Sequence, residues 1–339
     1  MKLLILTYLL FTALFSLSFA APETTPAINN NSNLDSYCSR FNQEIKRYFW
    51  GRIVCNPNTW TWEKEYTTPA GWPLVYAIFD SSDPAITKTT TLIMCGIHGD
   101  ELPTVYLCVH MVRDILFDNP QAYKGQRVIV APLINPDGFF KENPTRENGQ
   151  GIDINRNFPT QDFDTMALAD WKNKYRSTPR KYPGTKGGSE IETRFQIMLL
   201  EKFNPDKIIS VHSPYGWLDF DSPSKKNWDE PDGYDFNFFK KESKTIAKKM
   251  SKESDNYPLT SFQIFPGSLG NYAATERAMP VYTLELPTSG AEKAHDYWIR
   301  MRKGIAVAVA YQLQSKTGTA KVVKTGESEP KENSSKKSN

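Results

Sequence analysis

Three runs of apolar and β-branched residues, 89–94, 207–211 and 281–284, constrain the fold of this chain more than any other feature. None alternates polar with apolar residues, so each reads as a strand covered on both faces, as in the middle of a helix-layered sheet. Each run leads into a residue with chemical potential: His98 after the first, His212 after the second and Glu285 after the third. Ligands of α/β sheets gather beyond the carboxyl ends of the strands. These three residues stand there.

His98 and Glu101 are three residues apart where the first strand turns into a helix, a spacing at which an imidazole and a carboxylate can close on one metal ion. With His212 they make three zinc donors and leave the fourth position to water, the arrangement of a catalytic site. One zinc ion is the expected cofactor. His110 and His295 fall on helical stretches without an acidic partner and read as packing residues. Glu285 ends an apolar strand, where an unpaired carboxylate is costly to bury. A general base and acid beside activated water is the role that fits it.

Helical signals fill the spaces between the strands. Residues 102–117 follow the first strand, Ser189-Glu190-Ile191-Glu192 has the form of a capping box for a helix to Phe203, and 291–313 reads as a closing helix. The expected fold is α/β, a mixed, mostly parallel central sheet sandwiched by helices, in one domain over residues 37–314. Met1-Lys2, the apolar stretch 3–19 and Ser18-Phe19-Ala20 read as a secretory signal peptide over 1–20. An uncleaved anchor is the alternative, disfavoured by Thr7, Thr12, Ser16 and Ser18. Residues 21–36, rich in Asn, Thr, Pro and Ser, read as a flexible leader, and 315–339 as a disordered Lys/Ser/Glu-rich tail. That tail holds six lysines against three glutamates, and its surplus equals the +3 of the whole chain. The folded body is therefore near neutral and carries no nucleic-acid footprint.

The segments around His98, residues 146–159, His212 and Glu285 form four ordered motifs that resemble the carboxypeptidase A-like zinc metallocarboxypeptidases over roughly residues 70–310. Within that family the likeness is closer to bacterial murein peptide amidases and DL-carboxypeptidases. The residues that carry it are Ile134-Asn135-Pro136-Asp137-Gly138, the short spacing from Arg146 to Arg156, Pro266-Gly267-Ser268-Leu269-Gly270 and Leu284-Glu285-Leu286-Pro287. The resemblance implies that Asp153 holds the first histidine from behind and that Arg146 stabilises the oxyanion. It also implies that Asn155 and Arg156 clamp a terminal carboxylate, that Ser213 contacts substrate, and that the Ser213–Pro214 bond is cis. Phe262 stands where the digestive members carry a mobile tyrosine, so Tyr257 or Tyr272 is the expected replacement. Leu269 and Gly270 occupy the specificity loop without a charge, so no pocket for basic side chains is expected.

In an exported protein the cysteines need an assignment. Cys38 and Cys55 are expected to pair, and Cys95 and Cys108 to stay reduced as small core residues. The function expected is a periplasmic or secreted zinc carboxypeptidase or amidase acting on peptidoglycan stem peptides, with no nucleic-acid partner and no stable membrane insertion after signal cleavage. The bond favoured joins γ-D-glutamate to meso-diaminopimelate. The alternatives are a general metallocarboxypeptidase, a desuccinylase-like amidohydrolase, and a catalytically inactive wall-binding module.

Overall fold

The computed structural model describes residues 31–51, 54–80, 89–221, 236–262 and 264–313. The expected signal peptide and tail lie outside them. Among the described residues eight strands form one sheet. They are β1 (Thr61–Thr67), β2 (Pro73–Phe79), β3 (Thr90–Met94), β4 (Arg127–Ala131), β5 (Lys207–His212), β6 (Trp217–Asp221), β7 (Leu259–Thr260) and β8 (Val281–Glu285), in the spatial order β1-β2-β4-β3-β5-β8-β6-β7. The four central strands β4, β3, β5 and β8 are parallel, and antiparallel pairings flank them. The helices are α1 (Asn31–Arg47), α2 (Leu102–Arg113), the single turn α3 (Pro136–Phe139), α4 (Leu168–Asn173), α5 (Ile191–Phe203), α6 (Phe236–Glu253) and α7 (Ala294–Ala310). None of these helices is long and apolar enough to cross a membrane.

Successive strand residues point to opposite faces, and both faces are buried. On β3, Ile93 packs with residues of α1, α2, α6 and α7, while Leu92 and Met94 pack with Phe195, Leu199 and Leu200 of α5. The same division runs through β8, where Tyr282 and Leu284 join the first core and Val281 the second. The three runs that seeded the sequence reading are β3, β5 and β8, side by side in the middle of the sheet.

Three local expectations change. α1 begins at Asn31, so residues 31–36 of the expected leader are helical. Its polar Asn and Ser content hides a stripe of Leu34, Tyr37, Phe41 and Ile45, all buried, at the 3–4-residue spacing of one helix face. Phe41 stacks on Phe139, and Tyr37 meets Phe140 edge-on. Glu190 rather than Ser189 is the N-cap of α5, and the Ser189 hydroxyl instead donates to Glu190 Oε1 at 2.6 Å. Cys38 and Cys55 are bonded as expected, but Cys95 and Cys108 are bonded too. The turn from β3 into α2 folds the helix back over the end of the strand, which brings these Cα atoms to 6.1 Å, within bridging range. Sequence separation alone concealed that return.

The loop that follows α3 carries Arg146, Asp153, Asn155 and Arg156, and Asn148 is its hub. The Asn148 side-chain oxygen accepts from the backbone N–H of Gln150 and Ile152, at 3.0 and 3.1 Å. Its amide donates to Glu190 Oε2 and Glu192 Oε2 at 2.7 and 3.1 Å. Glu192 is fully buried, and burial, with Asp137 and Glu190 nearby, raises its carboxyl from 4.5 to about 7 despite the Asn148 bond. The folded state thus holds a proton that the unfolded chain releases. Stability is lost as pH rises from about 4.5 through about 7, by roughly 3 kcal/mol at most. Glu192→Gln should therefore raise the urea midpoint at pH 8 and match the parent near pH 4.5. Alkylation of the denatured, unreduced protein should label none of the four cysteines, and reduction should expose all four.

Candidate active site

β5 and β8 end level with each other. In the register, His212 pairs with Glu285 and Ser210 with Thr283. β6 runs antiparallel on the other side of β8, so Trp217 faces Glu285, Asp219 faces Thr283 and Asp221 faces Val281. Strand alternation puts Ser210, His212, Thr283, Glu285, Trp217, Asp219 and Asp221 on one face, and all of them line a single cavity of about 480 Å³. The loops after β3 and α3 close its other wall with His98, Glu101, Arg146, Asn155 and Arg156. Of the nine site residues expected from sequence, eight line this cavity and Asp153 lies directly behind it.

His98, Glu101 and His212 form a tight buried cluster. His98 Nδ1 lies 2.7 Å from Glu101 Oε1 and 3.1 Å from His212 Nδ1, and His212 Nδ1 lies 3.1 Å from Glu101 Oε2. One donor atom from each residue falls within 4.8 Å of the others. The outer ring nitrogens are already engaged: His98 Nε2 meets Asp153 Oδ1 at 3.1 Å and His212 Nε2 meets the Ser210 hydroxyl at 3.0 Å. An imidazole that donates outward presents its other nitrogen as a lone pair. Two such lone pairs and a carboxylate aimed at one point suit a divalent cation, and the mixed nitrogen and oxygen donors suit zinc.

The charges around the cluster are arranged to the same end. Asp153 takes a two-pronged contact from Arg146, Nε to Oδ2 at 3.0 Å and Nη2 to Oδ2 at 2.9 Å, while Arg146 Nη1 reaches Glu101 Oε1 at 3.2 Å. Burial alone would raise the Asp153 carboxyl, but Arg146 and His98 hold it well below the usual carboxylate range. Burial likewise opposes ionisation of Glu101, and His98 and His212 overcome it. Glu285 is different. Burial first, then the Glu101 carboxylate, push it up to about 8, and its Oε2 is buried with no hydrogen-bond partner among the described residues. Its backbone oxygen is fixed by the Tyr257 hydroxyl at 2.7 Å.

Asn155 Oδ1 accepts from the Leu269 N–H at 2.9 Å, which leaves its amide nitrogen as a donor. Arg156 spends Nη1 on the Asn155 carbonyl at 2.6 Å and lies over the Phe265 ring at 4.5 Å, and its Nε is buried without a partner among the described residues. Gly267, at φ 71°, lets the loop after β7 press on this segment, since a Cβ there would strike the Arg156 carbonyl. The Ser213–Pro214 bond is cis, as expected, with Ser213 on its carbonyl side. Its N–H donates to Glu101 Oε2 at 3.1 Å and its hydroxyl meets Ser289 at 2.8 Å.

Neither tyrosine expected to replace the family's mobile one enters the cavity. Tyr257 is buried behind Glu285, and Tyr272 is buried with the Arg277 guanidinium on its ring. The mouth instead carries a stack of Tyr215, Trp217 and Phe262, with ring centroids 4.9 and 4.5 Å apart. Arg180, Lys181, Asp219 and Asp221 also line the cavity and were not singled out from sequence. The alternation Trp217-Leu218-Asp219-Phe220-Asp221 was a readable signal for the last two, because a strand with one polar face directly after His212 must turn that face to the site.

The zinc carboxypeptidase family model matches residues 57–312. The chain belongs to the zinc carboxypeptidase family. Murein peptide amidase A of Escherichia coli K12 is 29% identical over 146 residues, 40% of this chain and 54% of that protein. The chain thus spans about half the length of that relative. Murein peptide amidase A of Vibrio campbellii is 28% identical over 231 residues, 66% of this chain and 77% of its own. Among solved structures, bovine thrombin-activatable fibrinolysis inhibitor in complex with tick carboxypeptidase inhibitor is similar in fold, with a TM-score of 0.58 at 17% identity, covering 81% of this chain and 95% of that one. The family is zinc-dependent, in keeping with the donor set of His98, Glu101 and His212. Removing a carboxylate that orients a ligating histidine typically weakens metal affinity 10- to 100-fold. Asp153→Asn should do so in a competition titration against a chromophoric chelator, with the far-ultraviolet circular dichroism retained.

Proposed function

We propose that the chain is an exported hydrolase that removes the terminal residue of peptidoglycan stem peptides, cutting between γ-D-glutamate and meso-diaminopimelate. The observation that carries this reading is the carboxylate of Glu285, one oxygen of which is buried without a partner among the described residues, one strand across from His212 and in the same cavity as the carboxylate-binding groups of Asn155 and Arg156. His98, Glu101 and His212 hold one zinc ion. Zinc, when bound, supplies a Lewis acid that lowers the pKa of water and polarises a carbonyl.

The protein's own groups do the rest. Glu285 accepts the proton of the attacking water and delivers it to the leaving amine nitrogen. Arg146, fixed through Asp153 and with Nη1 on Glu101 Oε1, sets a positive charge beside the point where negative charge builds on the carbonyl oxygen. Asn155 and Arg156 hold the α-carboxylate of the departing residue through charge-assisted bonds. Ser213, whose own N–H is taken by Glu101, borders the substrate with its hydroxyl. The murein peptide amidases among its relatives support the substrate class, and the intact catalytic set weighs against an inactive wall-binding module.

A tripeptide stem incubated with the enzyme should yield the dipeptide and free diaminopimelate, read by mass. Faster cleavage of ordinary C-terminal aromatic or aliphatic peptides would instead identify a general carboxypeptidase. Glu285→Gln should keep its zinc by elemental analysis yet lose hydrolysis by roughly 10²- to 10⁴-fold. Near-normal turnover in that variant would remove Glu285 from its role. Arg156→Ala should cost roughly 2–4 kcal/mol in kcat/KM, since it strips the partner from a substrate carboxylate.

A further inference from the structure

A second cavity, of about 550 Å³, shares no lining residue with the catalytic one and has the size of a small-ligand site. Tyr48, Phe49 and Trp50 after α1, Tyr106 of α2, Glu292 and His295 of α7 line it. The first three precede residue 57, where the match to the zinc carboxypeptidases begins, so the shared domain alone does not form this cavity. Its rings are packed as a set: Trp50 lies 5.2 Å from Tyr48 and meets Tyr106 edge-on at 5.5 Å, between ring centroids.

Phe49 stands against its own preferences. α1 ends in a Schellman turn, with the Trp50 N–H on the Ile45 carbonyl at 3.0 Å and the Phe49 N–H on the Lys46 carbonyl at 3.2 Å. The left-handed position of that turn favours glycine, and Phe49 occupies it at φ 55°. Its side chain is 93% exposed, so no burial offsets the strain. The Cys38–Cys55 bond ties the chain beyond the turn back to α1. A large ring held in water at a glycine position, on the wall of an aromatic cavity, points to a ligand.

We propose that this cavity binds a neutral pyranose ring of a saccharide chain, stacked on Phe49. Aromatic faces are negative, and the axial C–H groups of a pyranose carry the complementary positive charge. Arg47 lies 5.2 Å over the Tyr48 ring, where it covers that face and repels a cationic guest. Glu292, which has no partner among the described residues, repels an anionic one. A purely apolar guest would leave three polar groups unused. They are the Glu292 carboxylate, the buried Trp50 indole N–H, also without a partner among the described residues, and the His295 imidazole, whose Nδ1 meets the Tyr106 hydroxyl at 2.9 Å. Sugar hydroxyls both donate and accept, and so suit all three. The saccharide we assign is the amino-sugar glycan that carries wall peptides. That choice of sugar rests on the reading above, whereas the cavity and its preference for a pyranose do not.

The test is calorimetric binding to the zinc-loaded parent of the N-acetylglucosamine tetramer, maltotetraose and tetramethylammonium. The amino-sugar should bind best and the ammonium not at all. Phe49→Gly should lose at least ~10-fold in affinity for it, as when an aromatic anchor is removed. Its melting temperature should hold or rise, because glycine suits φ 55°. Glu292→Gln should weaken binding as well. Both variants should keep the parent's kcat/KM on the soluble stem tripeptide, since neither residue lines the catalytic cavity. A parent that binds neither saccharide, or prefers tetramethylammonium, or a Phe49→Gly variant with unchanged affinity, overturns the site. Maltotetraose bound as tightly as the amino-sugar removes the wall glycan as its source. Saccharide binding intact in an enzyme that cuts no stem tripeptide sinks the proposed substrate and leaves the pyranose site standing.

Discussion

The site depends on Asp153. This fully buried carboxylate accepts from His98 Nε2 with one oxygen and from the Arg146 guanidinium with the other. Without it, His98 has no reason to present Nδ1 inward, and Arg146 has no anchor beside Glu101. A buried carboxylate left alone would be expensive, and here two cationic or polarisable partners make it the ionised hub of the cluster. Asp153 itself is held in place by a loop that turns about Asn148, so the orientation of the candidate metal-binding ring of His98 is set by hydrogen bonds that reach the cap of α5.

The sheet supplies the second constraint. Parallel β5 and β8 end at the same level, with β3 ending two residues short of them opposite Ser210, and the two-residue period of a strand lets every other side chain at those ends face the cavity while its neighbours stay in the core. His212 and Glu285 are cross-strand partners, so their separation follows from strand spacing rather than from loop conformation. Only the ligands after β3 depend on a turn, and that turn is tied down by the bond between Cys95 and Cys108.

Much of this was legible in the chain because the informative residues sit on regular elements. Continuous apolar runs marked the central strands, and the residues just beyond each run supplied a candidate metal ligand or the candidate base. What escaped depends on return paths through space. The Cys95–Cys108 bond requires knowing that α2 doubles back over β3. The helical nature of residues 31–36 was masked by polar composition, although Leu34, Tyr37 and Phe41 carry a helical stripe. The expectation of a replacement tyrosine failed for a similar reason, since Tyr257 and Tyr272 are core residues and the ring stack at the mouth comes from the turn before β6, from β6 itself and from the segment after β7. Asp221 was visible as one polar position of an alternating strand, but the sequence could not say that Gly270 would clear the space before it.

The side chains across β5, β8 and β6 stand in rows at different depths. His212, Glu285 and Trp217 occupy the row at the strand ends, Ser210, Thr283 and Asp219 the next, and Ile208, Val281 and Asp221 the one below. Because each row is displaced by a fixed two residues of strand, a substitution in the lowest row reshapes the floor without shifting the backbone that carries the topmost. Such an architecture can change its diet while conserving its chemistry, and divergence among chains with this sheet should concentrate at the bottom row and at the loop residue packed against it.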